Sequence, residues 1–176
     1  MKKLHAISYL LTAWSLLSLC SCQTVDDERI PNMLVNISLA DAGLWNTYGV
    51  AGFGSNRNFI YNPGGNSQPA GFSYKYGSGT GFGGVLLIEG MDPFSSVTSA
   101  PLAYDLACPV ERKASIRVKI DPDTYVAVCS ECKSTYDVTM QRGAPISGEA
   151  AMGKYKYALK SYNCIPSGSG GYYITN

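Results

Sequence analysis

Cys129 and Cys132 stand three apart in VCSECKSTYDV, residues 128–138, directly after the apolar run Tyr125-Val126-Ala127-Val128. Two thiols at that spacing can converge on one metal ion, cycle as a redox dithiol, or take part in disulfides. A third thiol opens the stretch Cys108-Pro109-Val110-Glu111, where the same two-residue gap brings a carboxylate, Glu111, into ligand reach. Thiolates suit zinc or iron–sulfur chemistry, so Cys108, Cys129 and Cys132, with Glu111 as a possible fourth ligand, form the candidate metal set. A disulfide between Cys108 and Cys129 is the competing reading, and Cys164 reads as a small buried apolar residue, the commonest fate of a free cysteine. Asp105, Glu131 and Asp137 also flank the cysteines; as isolated carboxylates they are expected to be solvated. The chain holds a single histidine, His5, near its amino end. Serine and cysteine catalysis through an imidazole, histidine proton shuttles and histidine-ligated metals are therefore excluded from the remainder. No nucleophile–base pair is visible, so an enzyme in its own right is the least favoured reading.

The first residues read as a targeting segment. Lys2 and Lys3 precede an almost continuous apolar run, residues 4–19, which ends at Leu19-Cys20-Ser21-Cys22. That arrangement resembles a bacterial lipoprotein signal, with residues 1–21 removed and Cys22 carrying lipid. The resemblance implies attachment to the membrane through Cys22 and a cell-envelope location in a Gram-negative bacterium, as an outer-membrane lipoprotein facing the periplasm or the surface. Residues 22–30, which include Asp26-Asp27-Glu28, are expected to be a polar tether. Without Lys2 and Lys3 the chain keeps 12 of its 14 basic residues against 13 acidic ones, so nucleic-acid binding has no electrostatic support.

The elements around the cysteines read as strands. The chain is 176 residues long, and 19 glycines, 13 tyrosines and only 15% charged residues point to one turn-rich, all-β domain over residues 31–176. Residues 31–39 alternate with Val35, Ile37 and Leu39 on one face. Gly84 to Glu89 reads as a buried strand. Residues 101–105 lead into Cys108. Ile116, Val118 and Ile120 alternate with Arg117 and Lys119, and Tyr125 to Val128 returns antiparallel, which should bring Cys108 and Cys129 together. Tyr155, Tyr157 and Leu159 mark another strand, and residues 172–175 the last. Residues 41–82 are rich in glycine and aromatics and are expected to hold short strands, among them Phe72 to Tyr76. The tyrosines and Trp45 there are expected to be sheet surface and core, with a glycan-binding face as the sharper alternative. The glycine clusters read as turns, since none carries a phosphate-loop lysine.

The cysteine stretches resemble the two cluster loops of a Rieske [2Fe–2S] domain: Ala103-Tyr104-Asp105-Leu106-Ala107-Cys108-Pro109-Val110 the first, Cys129-Ser130-Glu131-Cys132-Lys133-Ser134-Thr135-Tyr136-Asp137 the second. Gly143-Ala144-Pro145-Ile146-Ser147-Gly148-Glu149-Ala150 is similar to the proline-containing stretch that follows them in that family, and the whole resembles Rieske-like lipoproteins of Bacteroidota. The resemblance implies an antiparallel β-sandwich with a small rubredoxin-like cluster subdomain over about residues 104–137, descent from an electron-transfer module, a redox or envelope protein partner, and Asp137 capping its loop. Rieske clusters use two cysteines on one iron and two histidines on the other. Here Val110 and Cys132 stand at the histidine positions, so the cofactor is an altered [2Fe–2S] cluster, a zinc ion, or none.

Overall fold

A computed structural model describes residues 24–91 and 99–176. The lipoprotein signal, the candidate lipidation site Cys22 and His5 lie outside the described residues. In chain order the strands are β1 (Thr24–Asp26), β2 (Val35–Asp41), β3 (Asn56–Phe59), β4 (Gly79–Thr80), β5 (Val85–Gly90), β6 (Ala100–Asp105), β7 (Val118–Ile120), β8 (Ala127–Cys129), β9 (Thr135–Asp137), β10 (Ala144–Ser147), β11 (Tyr155–Tyr157), β12 (Ser161–Pro166) and β13 (Gly170–Thr175). One short helix, α1 (Ala42–Tyr48), follows β2, and a single 3₁₀ turn spans Glu149–Ala151. The protein is all-β, and no helix among the described residues is long and apolar enough to cross a membrane.

Seven strands form one sheet in the order β3-β5-β6-β12-β13-β2-β4. It curls towards closure: Tyr61 N, just past β3, donates to Thr80 Oγ1 on β4 at 3.3 Å. A four-stranded sheet, β10-β9-β8-β7, packs over it. Both are antiparallel throughout, while β1 and β11 make a separate parallel pair.

β5 explains why there are two cores. Every residue of VLLIEG is buried, because the strand is covered on both faces. Leu86 and Ile88 point towards the small sheet and join Tyr104, Leu106, Cys108, Cys129 and Tyr136. Val85 and Leu87 point the other way, to Val35, Ile37, Leu39, Phe59 and Ile174. Each such side chain contributes roughly 1.5–3 kcal/mol by leaving water.

Three expectations need correction. Residues 24–26 are not a free tether: they pair with β11, Ala158 N donates to Asp26 O at 2.9 Å, and Ile30 is buried in the domain. The strand expected over residues 31–39, β2, begins at Val35, not at Pro31, which has no amide hydrogen to give a ladder. The segment Phe72 to Tyr76 is not a strand. Its alternation is real, since Phe72 and Tyr74 pack on the second core, but its backbone makes turns and no ladder: Phe72 N donates to Pro69 O and Lys75 O accepts from Ser78 N.

Candidate metal centre

Two hairpin ends build the site. β6 runs into Cys108, whose amide donates to Ile116 O at 3.0 Å while its carbonyl accepts from Arg112 N at 2.9 Å, closing the first loop. β7 returns beside β8, with Val118 opposite Cys129, and so carries the second loop alongside the first. There Cys129 N donates to Ser134 O at 3.0 Å, folding Cys132 back towards the core. Each loop turns through a left-handed residue four places after its first cysteine: Arg112 at φ 54° and Lys133 at φ 58°. Both turns thus have a similar shape, with Glu111 in the first at the place Cys132 holds in the second.

The sulfurs of Cys108, Cys129 and Cys132 all lie within 4.8 Å of one another. Cys108 Sγ is 3.6 Å from Cys132 Sγ. Ligands at about 2.3 Å on a tetrahedral ion are separated by about 3.8 Å, so the spacing suits one ion. Cys108 and Cys129 are fully buried, and Cys132 is partly exposed. The four described cysteines are free, so the Cys108–Cys129 disulfide is not formed here. Glu111 is not part of the ligand group. Its contribution is its backbone: the amides of Val110 and Glu111 face the Cys108 sulfur.

A third donor reaches the same sulfur, the phenol of Tyr136 at 3.5 Å. Burial pushes the Cys108 thiol up to about 12, against the pull of these donors. Burial, followed by the hydrogen bond and charge of Cys108, also pushes the Tyr136 phenol well above its ordinary range, so it stays a proton donor. Ser134 supports Cys132: the two side chains are 3.2 Å apart, and Ser134 Oγ accepts from Ala150 N at 2.9 Å. That contact needs Gly148. Its φ is +76°, and a Cβ there would lie 2.6 Å from Ser134 Cα. The 3₁₀ turn thereby closes over the second loop. Sequence reasoning quoted Ser134, Tyr136 and Gly148 but gave them no role. The signal was a hydroxyl and a phenol two and four residues after Cys132, beside an otherwise apolar core.

The flanking carboxylates divide. Asp105 is fully buried, not solvated. It accepts from Phe82 N at 2.8 Å, Gly83 N at 2.9 Å, Ala107 N at 2.7 Å and Tyr162 Oη at 2.7 Å. It therefore locks the entry to the first loop without touching the sulfurs. Asp137 caps the turn after β9, accepting from Thr139 N and Met140 N at 3.1 and 2.8 Å. Glu131 is exposed. Cys164 lies on β12 opposite Ile174, packed against the second core and outside the sulfur group. The aromatics of residues 44–76 are mostly mutual packing, as in the edge-on Phe59–Phe72 and Tyr48–Phe72 pairs.

No protein-family model, no curated protein and no solved structure matches this chain.

Proposed function

We propose that this chain is a lipid-anchored cell-envelope protein of Rieske-like descent whose cysteine site holds one thiophilic ion in place of the ancestral cluster. The observation that carries the reading is the mutual approach of three sulfurs to within 4.8 Å. A [2Fe–2S] centre divides its ligands between two irons, two to each, and a Rieske centre needs imidazole on one of them. With no histidine after His5, the residues present do not fit that group. Three clustered thiolates fit one zinc or iron ion, with water or a rotated Glu111 in fourth place. Burial holds the Cys108 thiol up without an ion, against the downward pull of the Tyr136 side chain and the amides of Glu111 and Val110, which is the direction that favours a thiolate ligand. The ion's work in this reading is to pin the two loops together and present them to an envelope or redox protein partner.

A second reading has one observation in its favour. Cys108 and Cys132 are close enough, at 3.6 Å, for a modest movement to form a disulfide in an oxidising compartment.

Metal analysis and thiol counting of protein purified without added reductant separate the two. The metal reading expects about one equivalent of zinc or iron, with the ion lost in Cys129→Ser and Cys132→Ser. Metal-free protein carrying a Cys108–Cys132 disulfide would sink it. Visible charge-transfer bands with acid-labile sulfide would also overturn it, in favour of a cluster.

A further inference from the structure

β2 has one paired edge and one that is mostly open. On the first edge it pairs with β13 between Asn36 and Asp41. On the second, β4 covers only Val35 and Asn36, and among the described residues no strand pairs with the rest of β2 on that side. Alternation along the strand decides which backbone groups are left over. Leu34 O accepts from Gly81 N at 3.0 Å, so Leu34, Asn36 and Ser38 turn their amides and carbonyls to the β4 side. Ile37 and Leu39 turn theirs to β13. The β13 side agrees: Gly171 O accepts from Ser167 N at 2.9 Å and so faces away from β2, which leaves Tyr172 and Ile174 to face Leu39 and Ile37. The amide and carbonyl of Ser38 therefore look out from the open edge, with no backbone partner among the described residues.

A longer β4 would place Gly77 opposite Ser38. Instead the chain turns away at that point. Gly77 has φ +83°, Ser78 N donates to Lys75 O at 3.0 Å, and Gly77 O accepts from the Asn36 side chain at 3.3 Å. The gap left behind is an open groove of about 300 Å³ between Ser38 and residues 71–78. Leu44, Tyr48 and Phe72, from the fringe of the second core, give it an apolar lining, and the fully exposed Tyr76 borders it. Its walls are braced: Tyr48 Oη donates to Gly71 O at 2.9 Å, and Lys75 N donates to Ser78 Oγ at 3.0 Å. A groove held in shape before binding loses little to ordering. Lys75 is the one charged side chain in the lining, and no carboxylate there offsets it.

We propose that this groove takes a short, extended, acidic peptide segment of a partner protein, bound as an added strand on the open edge of β2. The occupant is a peptide because Ser38 offers a main-chain donor and acceptor side by side, which another extended backbone satisfies, next to an apolar lining for one of its side chains. It is acidic because the uncompensated charge of the lining is Lys75. It is short because the groove is at the small end of ligand sites and admits a few residues, not a folded surface. The inference goes beyond the cysteine site and depends neither on a bound ion nor on a lipid anchor.

The test uses the purified protein and a fluorescein-labelled peptide with blocked ends, Glu-Val-Glu-Val-Glu, with anisotropy reading binding and hydrogen exchange followed at single amides. In the free protein the Ser38 amide should exchange fast while those of Ile37 and Leu39 are protected, and the peptide should slow Ser38 at least about tenfold. Ser38→Pro removes the amide hydrogen on the open edge and spares the ladder to β13. It should weaken binding by about tenfold, as for the loss of one main-chain hydrogen bond. Lys75→Glu, at an exposed turn, is the second variant should the proline disturb the strand, and it should weaken binding by a similar factor. A Ser38 amide as protected as its neighbours in the free protein would overturn the proposal, because the edge would then be closed. Absence of peptide binding, or binding undiminished by Lys75→Glu, would overturn it as well. Slowing of Ser38 by a neutral glucan oligomer and not by the peptide would overturn it in favour of a glycan.

Discussion

Glu111 shows how little separates this site from a closed one. The two loops turn alike, through Arg112 and Lys133, and one offers a carboxylate where the other offers Cys132. Glu111→Cys should therefore complete a four-thiolate site and tighten zinc binding, by on the order of tenfold or more, because closed tetrahedral thiolate sites are the usual structural zinc sites. Competition with a chromogenic chelator reads this directly; an unchanged affinity would mean that the two turns are not equivalent. Cys164 supplies a contrasting thiol. Burial, with the nearby Glu89 carboxylate second, pushes it up to about 12. Its folded-state value lies above the unfolded one of about 8.5. Its stabilising contribution is therefore complete below about pH 8.5 and is lost as pH rises towards 12. Cys164 should accordingly alkylate slowly at pH 8 in the folded protein and quickly in urea. Equal rates would show the thiol to be freely ionised in the fold.

At the scale of elements, Asp105 is the clearest structural dependence. Its carboxylate receives three amides and the Tyr162 phenol in a place without water access. Asp105→Asn turns an amide nitrogen towards groups that themselves donate, and should cost about 2–4 kcal/mol, read as a lower urea midpoint. A loss under about 0.5 kcal/mol, typical of surface sites, would mean the lock is dispensable. The sequence made β5 and the hairpin of β7 and β8 legible, because their burial follows local alternation or a continuous apolar run. The approach of Cys108 to Cys129 followed from that hairpin alone. Asp105 was misread because its partners are backbone amides, which no residue type announces. β1 was misread for a related reason: Asp26-Asp27-Glu28 is polar enough for a tether, and only the distant Tyr155–Tyr157 edge makes it a strand. α1 has no fully buried residue and only seven residues, so its stripe of Leu44, Trp45 and Tyr48, half-buried against the second core, is too short to stand out as a helical period; Asp41 starts it by accepting from Leu44 N at 2.8 Å.

Across the whole molecule the sulfurs lie at the edge of one core, while the second core, from Val35 to Ile174, does not include Cys108, Cys129 or Cys132. The ion of the proposed site is thus a local staple and not the condition for folding, unlike small domains that unfold without zinc. Removing it with a chelator should raise amide exchange in residues 108–116 and 129–134 and leave β2, β5 and β13 protected. Loss of protection throughout the chain would show that the two cores do not stand apart. The proposed lipid anchor would make a matching separation between attachment and folding. β1 is held by the backbone pairing of Thr24, Val25 and Asp26 to β11. Cys22→Ala should therefore abolish lipid attachment while leaving thermal unfolding of the mature domain within about 1 °C of the parent, since the pairing of residues 24–26 with β11 is kept. Matched samples of mature protein, one lipidated and one carrying the substitution, test this by vesicle flotation and a melting curve. Co-flotation of the unlipidated sample would mean that membrane attachment does not depend on the lipid, and a lowered melting temperature would mean that attachment and folding are not separate.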